Sequence, residues 1–464
     1  MKNLNRRNFI RKTSLAGAAL SMAPMVARAT EFGERPLSAQ YMGDFSAPSL
    51  STIRAAFIGV GARGPGHLKF FANLPGTEVV AVSDLYEDLA QKWAASATEI
   101  GAGQRHKNVA TYFGAENKWM EMLDEVKPDV VFIATNWANH APMAIEAMKK
   151  GAHAFVEVPI AVTLKEMWDI VDTSEATGKH CMMMENVNYD RDELMFLNMC
   201  RKGVLGDLLH AEAAYIHELR GQMEQQDRGT GSWRTQHYAK RNGNLYPTHG
   251  LGPVAQYMNL AREEDNFETL VSYSTPALGR KSYAKKNYAT DHKWNQLEYK
   301  GGDMNTSIIK TTLGRTILVQ WDETSPRPYS RLNLVQGTKG TLAGFPTRVA
   351  LEGGIPGITE DHHSWVQGDQ LEVLYEKYDH PLYKRLNQKT KDSGHGGMDG
   401  MMMYRIVECL QQGQPLDQNL YEGCHWSAVG PLSEASVANG GAPQPFPDFT
   451  RGNWKSTKPL GIII

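Results

Sequence analysis

Apolar and polar positions along the 464 residues fall into two regimes. From Ile53 to about Asn186, short continuous apolar runs alternate with segments of helical spacing. Ile53 to Ile58, the Val-rich run that starts at Glu78, Val130 to Thr135, Ala154 to Val156 and Lys179 to Met184 are apolar on both faces. That is the pattern of strands buried between two layers. Thr163 to Thr177 has helical spacing and opens on Thr163-x-x-Glu166, a capping box. Strand and helix in alternation predict a doubly wound, parallel α/β sheet. After Asn186 the strand-like runs follow one another: Leu208 to His217, Phe267 to Thr275, Met304 to Leu313 and Thr316 to Trp321. Consecutive strands with segregated helices predict an α+β domain on an open, mostly antiparallel sheet. Met398 to Leu410 and Cys424 to Ala438 have helical periodicity, and the Met401 to Met403 run reads as core filling. Residues 231–250 read as a loop dense in aromatic, His and Arg side chains.

The first strand runs into Gly59-Val-Gly61-Ala62-Arg63-Gly64, a G-x-G-x-x-G loop, and Asp84 ends the second strand. Gly59 permits a tight turn, Gly61 lets backbone approach a pyrophosphate, and Gly64 lets the next helix pack with its N-terminus toward the phosphates. Asp84 stands about 20 residues on, the spacing of the acid that binds a ribose 2′-hydroxyl. Strand, loop, helix, strand and acid in that order predict a Rossmann domain over residues 51–186. The domain at 187–464 is then the substrate domain, its last helices free to pack back on the first. A carboxylate at Asp84 repels a 2′-phosphate, which favours NAD over NADP.

The ends and the composition add less. Asn5-Arg-Arg-Asn-Phe-Ile-Arg-Lys12, the apolar run Leu15 to Val26 and Ala27-Arg-Ala29 have the layout of a twin-arginine (Tat) signal peptide, cleaved after residue 29. The expected location is periplasmic or secreted, with the Tat machinery as a partner. Its apolar run is too short to span a bilayer, and no other long apolar segment follows, so no membrane span is expected in the mature form. Residues 30–50 read as an arm or linker. The 49 basic and 51 acidic residues nearly cancel, and no Lys/Arg block outside the signal suggests nucleic acid. Cys181, Cys200, Cys409 and Cys424 lack metal-ligand spacing and read as buried thiols. His362-His363 reads as surface loop, and no metal site is expected.

A Rossmann domain followed by an open antiparallel sheet resembles the Gfo/Idh/MocA oxidoreductase superfamily. Most members carry Glu-Lys-Pro after the fifth strand, where this chain has Glu157-Val-Pro159. The absent lysine argues against an ordinary dehydrogenase. Further motifs narrow the match: Asn136-Trp-Ala-Asn-His140, Glu185-Asn-Val-Asn-Tyr189, Trp233-Arg-Thr-x-His-Tyr238, Asn244-Leu-Tyr-Pro-Thr-His-Gly-Leu-Gly252, Arg327-Pro-Tyr329, Gly394-His-Gly-Gly-Met-Asp399 and Gly430-Pro-Leu-Ser-Glu434. Together they resemble glycoside hydrolase family 109, the NAD-dependent α-N-acetylgalactosaminidases, over essentially the whole chain.

The resemblance implies an NAD site formed by Gly59, Gly61, Ala62, Arg63, Gly64, Asp84, Trp137, Ala138, Asn139, His140, Glu157, Val158 and Asn186. It implies a sugar site formed by Tyr215, Arg234, Tyr246, Pro247, Thr248, His249 and Tyr329. Its reaction oxidises C3 of the sugar, removes the C2 proton, eliminates the glycosidic oxygen, adds water and reduces C3 again, with no net redox change. His249 fits the base for the C3 hydroxyl and Tyr215 the C2 base, with Tyr246 near the same centre. A neighbouring cation such as Arg234 or the oxidised nicotinamide would favour a phenolate. Each residue has a plainer reading: Tyr215 as a strand residue with a satisfied hydroxyl, His249 as a core histidine bonded to backbone, Arg234 as a solvated cation. His395 stays open between a site and a loop. The implied substrate is a glycan ending in α-N-acetylgalactosamine. Two other functions compete, a periplasmic NAD-dependent sugar oxidoreductase and a sugar-binding protein that only retains nucleotide. The C-terminal sheet is a surface through which copies of the chain could form a homo-oligomer.

Overall fold

The computed structural model describes residues 39–100, 106–361 and 363–463. The twin-arginine segment, its cleavage site and residues 30–38 of the expected arm lie outside the described residues.

Strands β1 (Ile53–Ile58), β2 (Thr77–Ser83), β3 (Ala110–Tyr112), β4 (Val130–Ile133), β5 (His153–Val156) and β6 (Cys181–Met183) form one parallel sheet in the order β3-β2-β1-β4-β5-β6. Helices cover the sheet, so β4, β5 and β6 are buried along their whole length, as their unbroken apolar runs require. Phe57, Phe132 and Phe155 stack across neighbouring strands at 4.9 and 5.2 Å between ring centroids. The helix Leu164–Thr177 starts where expected. Glu166 N donates to Thr163 Oγ1 (3.2 Å), and Thr163 N donates to Glu166 Oε2 (3.0 Å), which closes the capping box. The strand order turns back between β1 and β4. In open α/β sheets such a reversal leaves a crevice beyond the carboxyl ends of the strands.

The second sheet has nine strands: β7 (Leu208–Ile216), β8 (Phe267–Ser274), β9 (Met304–Thr311), β10 (Thr316–Asp322), β11 (Leu334–Gly337), β12 (Gly340–Ala343), β13 (Arg348–Leu351), β14 (Val366–Gln367) and β15 (Gln444–Pro445). Their order is β14-β13-β12-β11-β7-β10-β9-β8-β15. β7 and β10 run parallel, and the other pairings are antiparallel. The last helices do return to the first domain. Met401, Met402 and Met403 of the helix Met398–Gln412 are buried in one cluster with Leu68, Phe71 and Phe132.

Two expectations are corrected. Residues 231–250 are not a loop: they hold the helix Thr230–Lys240 and the start of the helix Thr248–Tyr257. Their periodicity is carried by Trp, His, Arg and Tyr facing a cleft, so a search for apolar spacing passes over it. The described part of the arm is docked rather than linker-like. Tyr41 stacks on Tyr421 at 5.0 Å, and the buried Met42 donates its N–H to the Tyr421 hydroxyl (3.1 Å). Cys181, Cys409 and Cys424 are buried thiols, whereas Cys200 is only half-buried. His363 is exposed, and His362 lies outside the described residues. No helix among the described residues is long and apolar enough to cross a membrane.

Candidate active site

The crevice over β1, β2, β4 and β5 is a cleft of about 830 Å³. The glycine loop forms its floor. Gly59 has φ +83°, and a Cβ there would stand 2.7 Å from the Ala134 carbonyl. A Cβ on Gly64 would stand 2.0 Å from the Gly59 carbonyl, so only glycine lets the helix Gly64–Asn73 begin that close to the turn. A Cβ on Gly61 would meet nothing within 4 Å. The loop is therefore crowded on its protein side and open at its middle, where a diphosphate would lie under the helix N-terminus. Asp84 locks this shape, accepting from Val60 N (2.8 Å) and Tyr86 N (3.0 Å). These features fit a dinucleotide.

The cleft's opposite wall comes from the second domain, through Gln225, Arg228, Gly229, Thr230, Ser232, Trp233 and Arg234. Arg228 lies over the Tyr86 ring at 4.1 Å and pairs with Asp88 at 2.9 Å. Its charge also interacts with that of Asp84. Asp84→Ala should therefore relax the choice between NAD and NADP, with Arg228 a cation on that side of the cleft. The check is the ratio of the two nucleotides rebound by stripped protein; an unchanged ratio would remove Asp84 from the ribose site.

Arg63 does not face phosphates alone. Its Nε donates to Glu157 Oε1 (2.9 Å), and Nη1 and Nη2 donate to Asp399 Oδ2 and Oδ1 (2.9 and 3.0 Å). His67 Nε2 lies 2.7 Å from the same Glu157 oxygen. Burial would raise the Glu157 carboxyl, but Arg63 and His67 outweigh it and hold it below the usual carboxylate range. Asp399 behaves likewise, its burial overcome by His395 and Arg63. His395 Nδ1 joins this cluster, 2.9 Å from Asp399 Oδ2 and 3.0 Å from Arg63 Nη1. The cluster ties the glycine loop to the Gly394–Gly397 turn.

Beside it, Tyr215, Tyr246 and His249 meet. Ring centroids are 4.5 Å apart for the tyrosines, 5.2 Å for Tyr215 and His249, and 4.9 Å for Tyr246 and His249. Gly250 makes this possible, because a Cβ there would stand 2.2 Å from Ala214 N, so the helix N-terminus sits directly on β7. His249 Nδ1 is 2.6 Å from the buried carboxylate of Glu185. A carboxylate only accepts, so Nδ1 carries the hydrogen, and Nε2 is the nitrogen that can take up a proton. The Tyr215 hydroxyl lies 2.9 Å from His217 Nδ1. Arg234 is enclosed by Trp137 (5.0 Å), Trp233 (5.5 Å) and Tyr246 (5.0 Å), with Nη1 4.0 Å from Glu323. Its buried Nε has no hydrogen-bond partner.

Arg234 acts on Tyr215 in the expected direction, towards phenolate, but burial acts against it. Burial, with Tyr246 and Glu323 adding to it, raises Tyr215 well above the ordinary phenol value, and Arg234 does not offset this. Tyr215 is a neutral phenol. Burial lowers His217, so its imidazole is neutral near pH 7 and free to accept from the phenol.

Of the expected nucleotide residues, Gly59, Gly61, Ala62, Arg63, Asp84, Trp137, Asn139, His140, Glu157 and Val158 line the cleft. Gly64, Ala138 and Asn186 do not line it. Gly64 packs on the Gly59 carbonyl, Ala138 is exposed, and Asn186 donates to Asp399 Oδ1 (2.7 Å). His140 lines the cleft while holding its wall, with Nδ1 2.7 Å from the Pro159 carbonyl. Val158 is buried and apolar, so no cation stands where the superfamily has lysine. On the sugar side, Pro247 precedes the helix Thr248–Tyr257, the buried Thr248 hydroxyl is unpartnered, and Tyr329 is 6.1 Å from Tyr215. The plainer reading of Tyr215 holds as far as it goes, since it is a strand residue whose hydroxyl bonds His217, whereas His249 bonds the Glu185 carboxylate rather than backbone and Arg234 is buried rather than solvated. Sequence reading missed His217, Glu185, Glu323 and Asp399. The first was within reach, since residues two apart on a strand share a face. Glu185 and Asp399 stood inside quoted motifs, and nothing in the sequence marked Glu323.

Fold and cleft together define the class, a Gfo/Idh/MocA oxidoreductase-like protein. Residues 53–185 match the oxidoreductase family with an NAD-binding Rossmann fold, and residues 189–456 match the C-terminal domain of glycosyl hydrolase 109. The chain is 56% identical to glycosyl hydrolase family 109 protein 1 of Akkermansia muciniphila, covering 99% of each chain. It is 49% identical to an alpha-N-acetylgalactosaminidase of Shewanella oneidensis, covering 100% of each. Among solved structures, a levoglucosan dehydrogenase in complex with NADH and levoglucosan superposes with a TM-score of 0.62 at 16% identity, over 85% of this chain and 100% of that one. The scyllo-inositol dehydrogenase of Lactobacillus casei, with NAD(H) and scyllo-inositol bound, gives 0.57 at 12% identity, over 85% and 99%. The chain belongs to glycoside hydrolase family 109, a family of glycosidases, on an NAD-binding fold.

Proposed function

We propose that the protein hydrolyses terminal α-N-acetylgalactosamine from glycans, with a retained NAD and no net redox change. The observation that carries this is the convergence of Tyr215, Tyr246 and His249, with the neighbouring carboxylates Glu185, Glu157 and Glu323 each bonded to another side chain. A glycosidase of the usual kind needs two carboxyl groups free to act at the scissile bond. Here Glu185 holds His249, Glu157 holds Arg63 and His67, and Glu323 holds Tyr238 and Arg280. Phenol and imidazole are left as the groups that can move protons.

Bound NAD would supply reversible oxidation at C3 of the sugar. Gly59, Gly61 and the helix start would hold its diphosphate, and Asp84 its ribose. His249, oriented by Glu185, receives the C3 hydroxyl proton at Nε2. The ketone acidifies C2–H, and Tyr215 takes that proton after passing its own to His217. Arg234 offers its free donors to the enolate oxygen. The C1–O bond breaks by elimination as His217 hands its proton to the leaving oxygen; water then adds at C1, its proton passing to His217, while Tyr215 returns a proton to C2 and recovers its own from His217. Tyr329 shapes the pocket.

Purified protein given an aryl α-N-acetylgalactosaminide should release phenol without added NAD and with no net NADH. Near-stoichiometric NAD(H) should be freed on denaturation. Steady NADH formation with added NAD and no phenol would make it a sugar dehydrogenase. Neither signal would leave a binding protein.

A further inference from the structure

The sugar site does not stop at Tyr329. That ring is 39% exposed, and Phe345, 37% exposed, stands 5.7 Å from it. Phe345 occupies the turn between β12 and β13 with φ +53°, a left-handed conformation costly for an aromatic residue. Exposing an apolar ring and straining its backbone both disfavour phenylalanine at a solvent-facing turn. Beneath both rings lies the buried guanidinium of Arg331, 4.8 Å from the Phe345 centroid and 5.7 Å from Tyr329. Arg331 is fixed by Glu193 (3.0 Å) and Asp190 (2.8 Å), so the base of the pair cannot drift. From the same turn Arg348 leads outward, bonding the Pro346 carbonyl (3.2 Å) and lying 4.9 Å from the ring of Trp365, itself 39% exposed.

We infer that Tyr329, Phe345 and Trp365 form a stacking platform for the saccharide on the leaving side of the scissile bond. The inference rests on the glycosidase reading above. A terminal sugar must turn its C2–C3 edge inward, toward Tyr215 and His249. Its anomeric oxygen, and the glycan attached to it, must then continue toward solvent. The exposed rings beside the inner site begin at Tyr329 and Phe345, and Trp365 lies beyond them across Arg348. Pyranose rings bury a face of C–H bonds against aromatic planes while their hydroxyls stay hydrated, so the platform fits neutral hexopyranoses.

Two measurements test it. The first compares kcat/KM for a trisaccharide ending in α-N-acetylgalactosamine with that for the aryl glycoside. In Phe345→Ala the ratio should fall about tenfold, the worth of one stacked ring, and Phe345→Tyr should restore it. Trp365→Ala should lower it less. The second is saturation-transfer NMR with free lactose, which needs no turnover: signals from the galactose C–H face should be strong with the parent protein and Phe345→Tyr, and lost with Phe345→Ala. Equal loss on both substrates, or lactose signals indifferent to Phe345→Ala, would overturn the platform. An inactive parent protein would sink the glycosidase reading alone, since lactose still reports on the rings.

Discussion

Tyr215→Phe should abolish most glycoside cleavage while leaving the first half of the reaction intact. Loss of a positioned acid–base group costs about 10²- to 10⁴-fold, and that is the fall expected in aryl release. The substituted ring keeps its packing on Tyr246, 4.5 Å away, and loses only the hydroxyl that bonds His217 at 2.9 Å. Folding and nucleotide content should stay as they are. Oxidation at C3 needs no proton from C2, so adding substrate should still raise the absorbance of reduced nicotinamide on the protein, in a single burst. The parent protein in heavy water should place deuterium at C2 of the product, unless the proton never exchanges while held on Tyr215; C2-deuterated substrate should then show a primary isotope effect. A variant that cleaves at the parent rate, or one that neither cleaves nor reduces its nucleotide, would remove Tyr215 from the C2 step.

The nucleotide half of this site could be read from the sequence because its chemistry is local. Gly59, Gly61, Gly64 and Asp84 lie within one strand–loop–helix–strand unit, and backbone geometry dictates their spacing. The sugar half has no such spacing. Tyr215 ends one strand, Arg234 and His249 sit on two helices, and Tyr329 follows another strand, so only a family resemblance could group them. Which groups hold them was less visible still. Arg63 and Asp399 are 336 residues apart, and Glu185 and His249 are 64 apart. Pairings of that kind are made by the return of the Met398–Gln412 helix to the first domain and by the close approach at Gly250. Ionisation was the least legible feature. The cation beside Tyr215 was foreseeable, but the burial that outweighs it belongs to the packed domain.

His249→Ala should stop both halves of the reaction, in contrast to Tyr215→Phe. If His249 takes the C3 hydroxyl proton, its loss should slow both aryl release and nucleotide reduction by at least about 10²-fold. The alanine variant also strands Glu185, a buried carboxylate whose imidazole partner is 2.6 Å away. Removing the donor to a buried carboxylate costs about 1.5–3 kcal/mol, so lower thermal stability should accompany the loss. Glu185→Gln separates the two effects. An amide keeps a hydrogen-bonding group near Nδ1 and removes the charge, so the fold and the nucleotide should be retained. The amide can donate as well as accept, however, and no longer obliges Nδ1 to carry the hydrogen. Part of the population then presents a protonated Nε2 that cannot act as base, as happens when the acid behind a catalytic histidine is replaced by its amide. Both half-reactions should slow together in this variant while its melting temperature stays near that of the parent. Slowing of cleavage alone, with nucleotide reduction at the parent rate, would place His249 at a later step than the oxidation of C3.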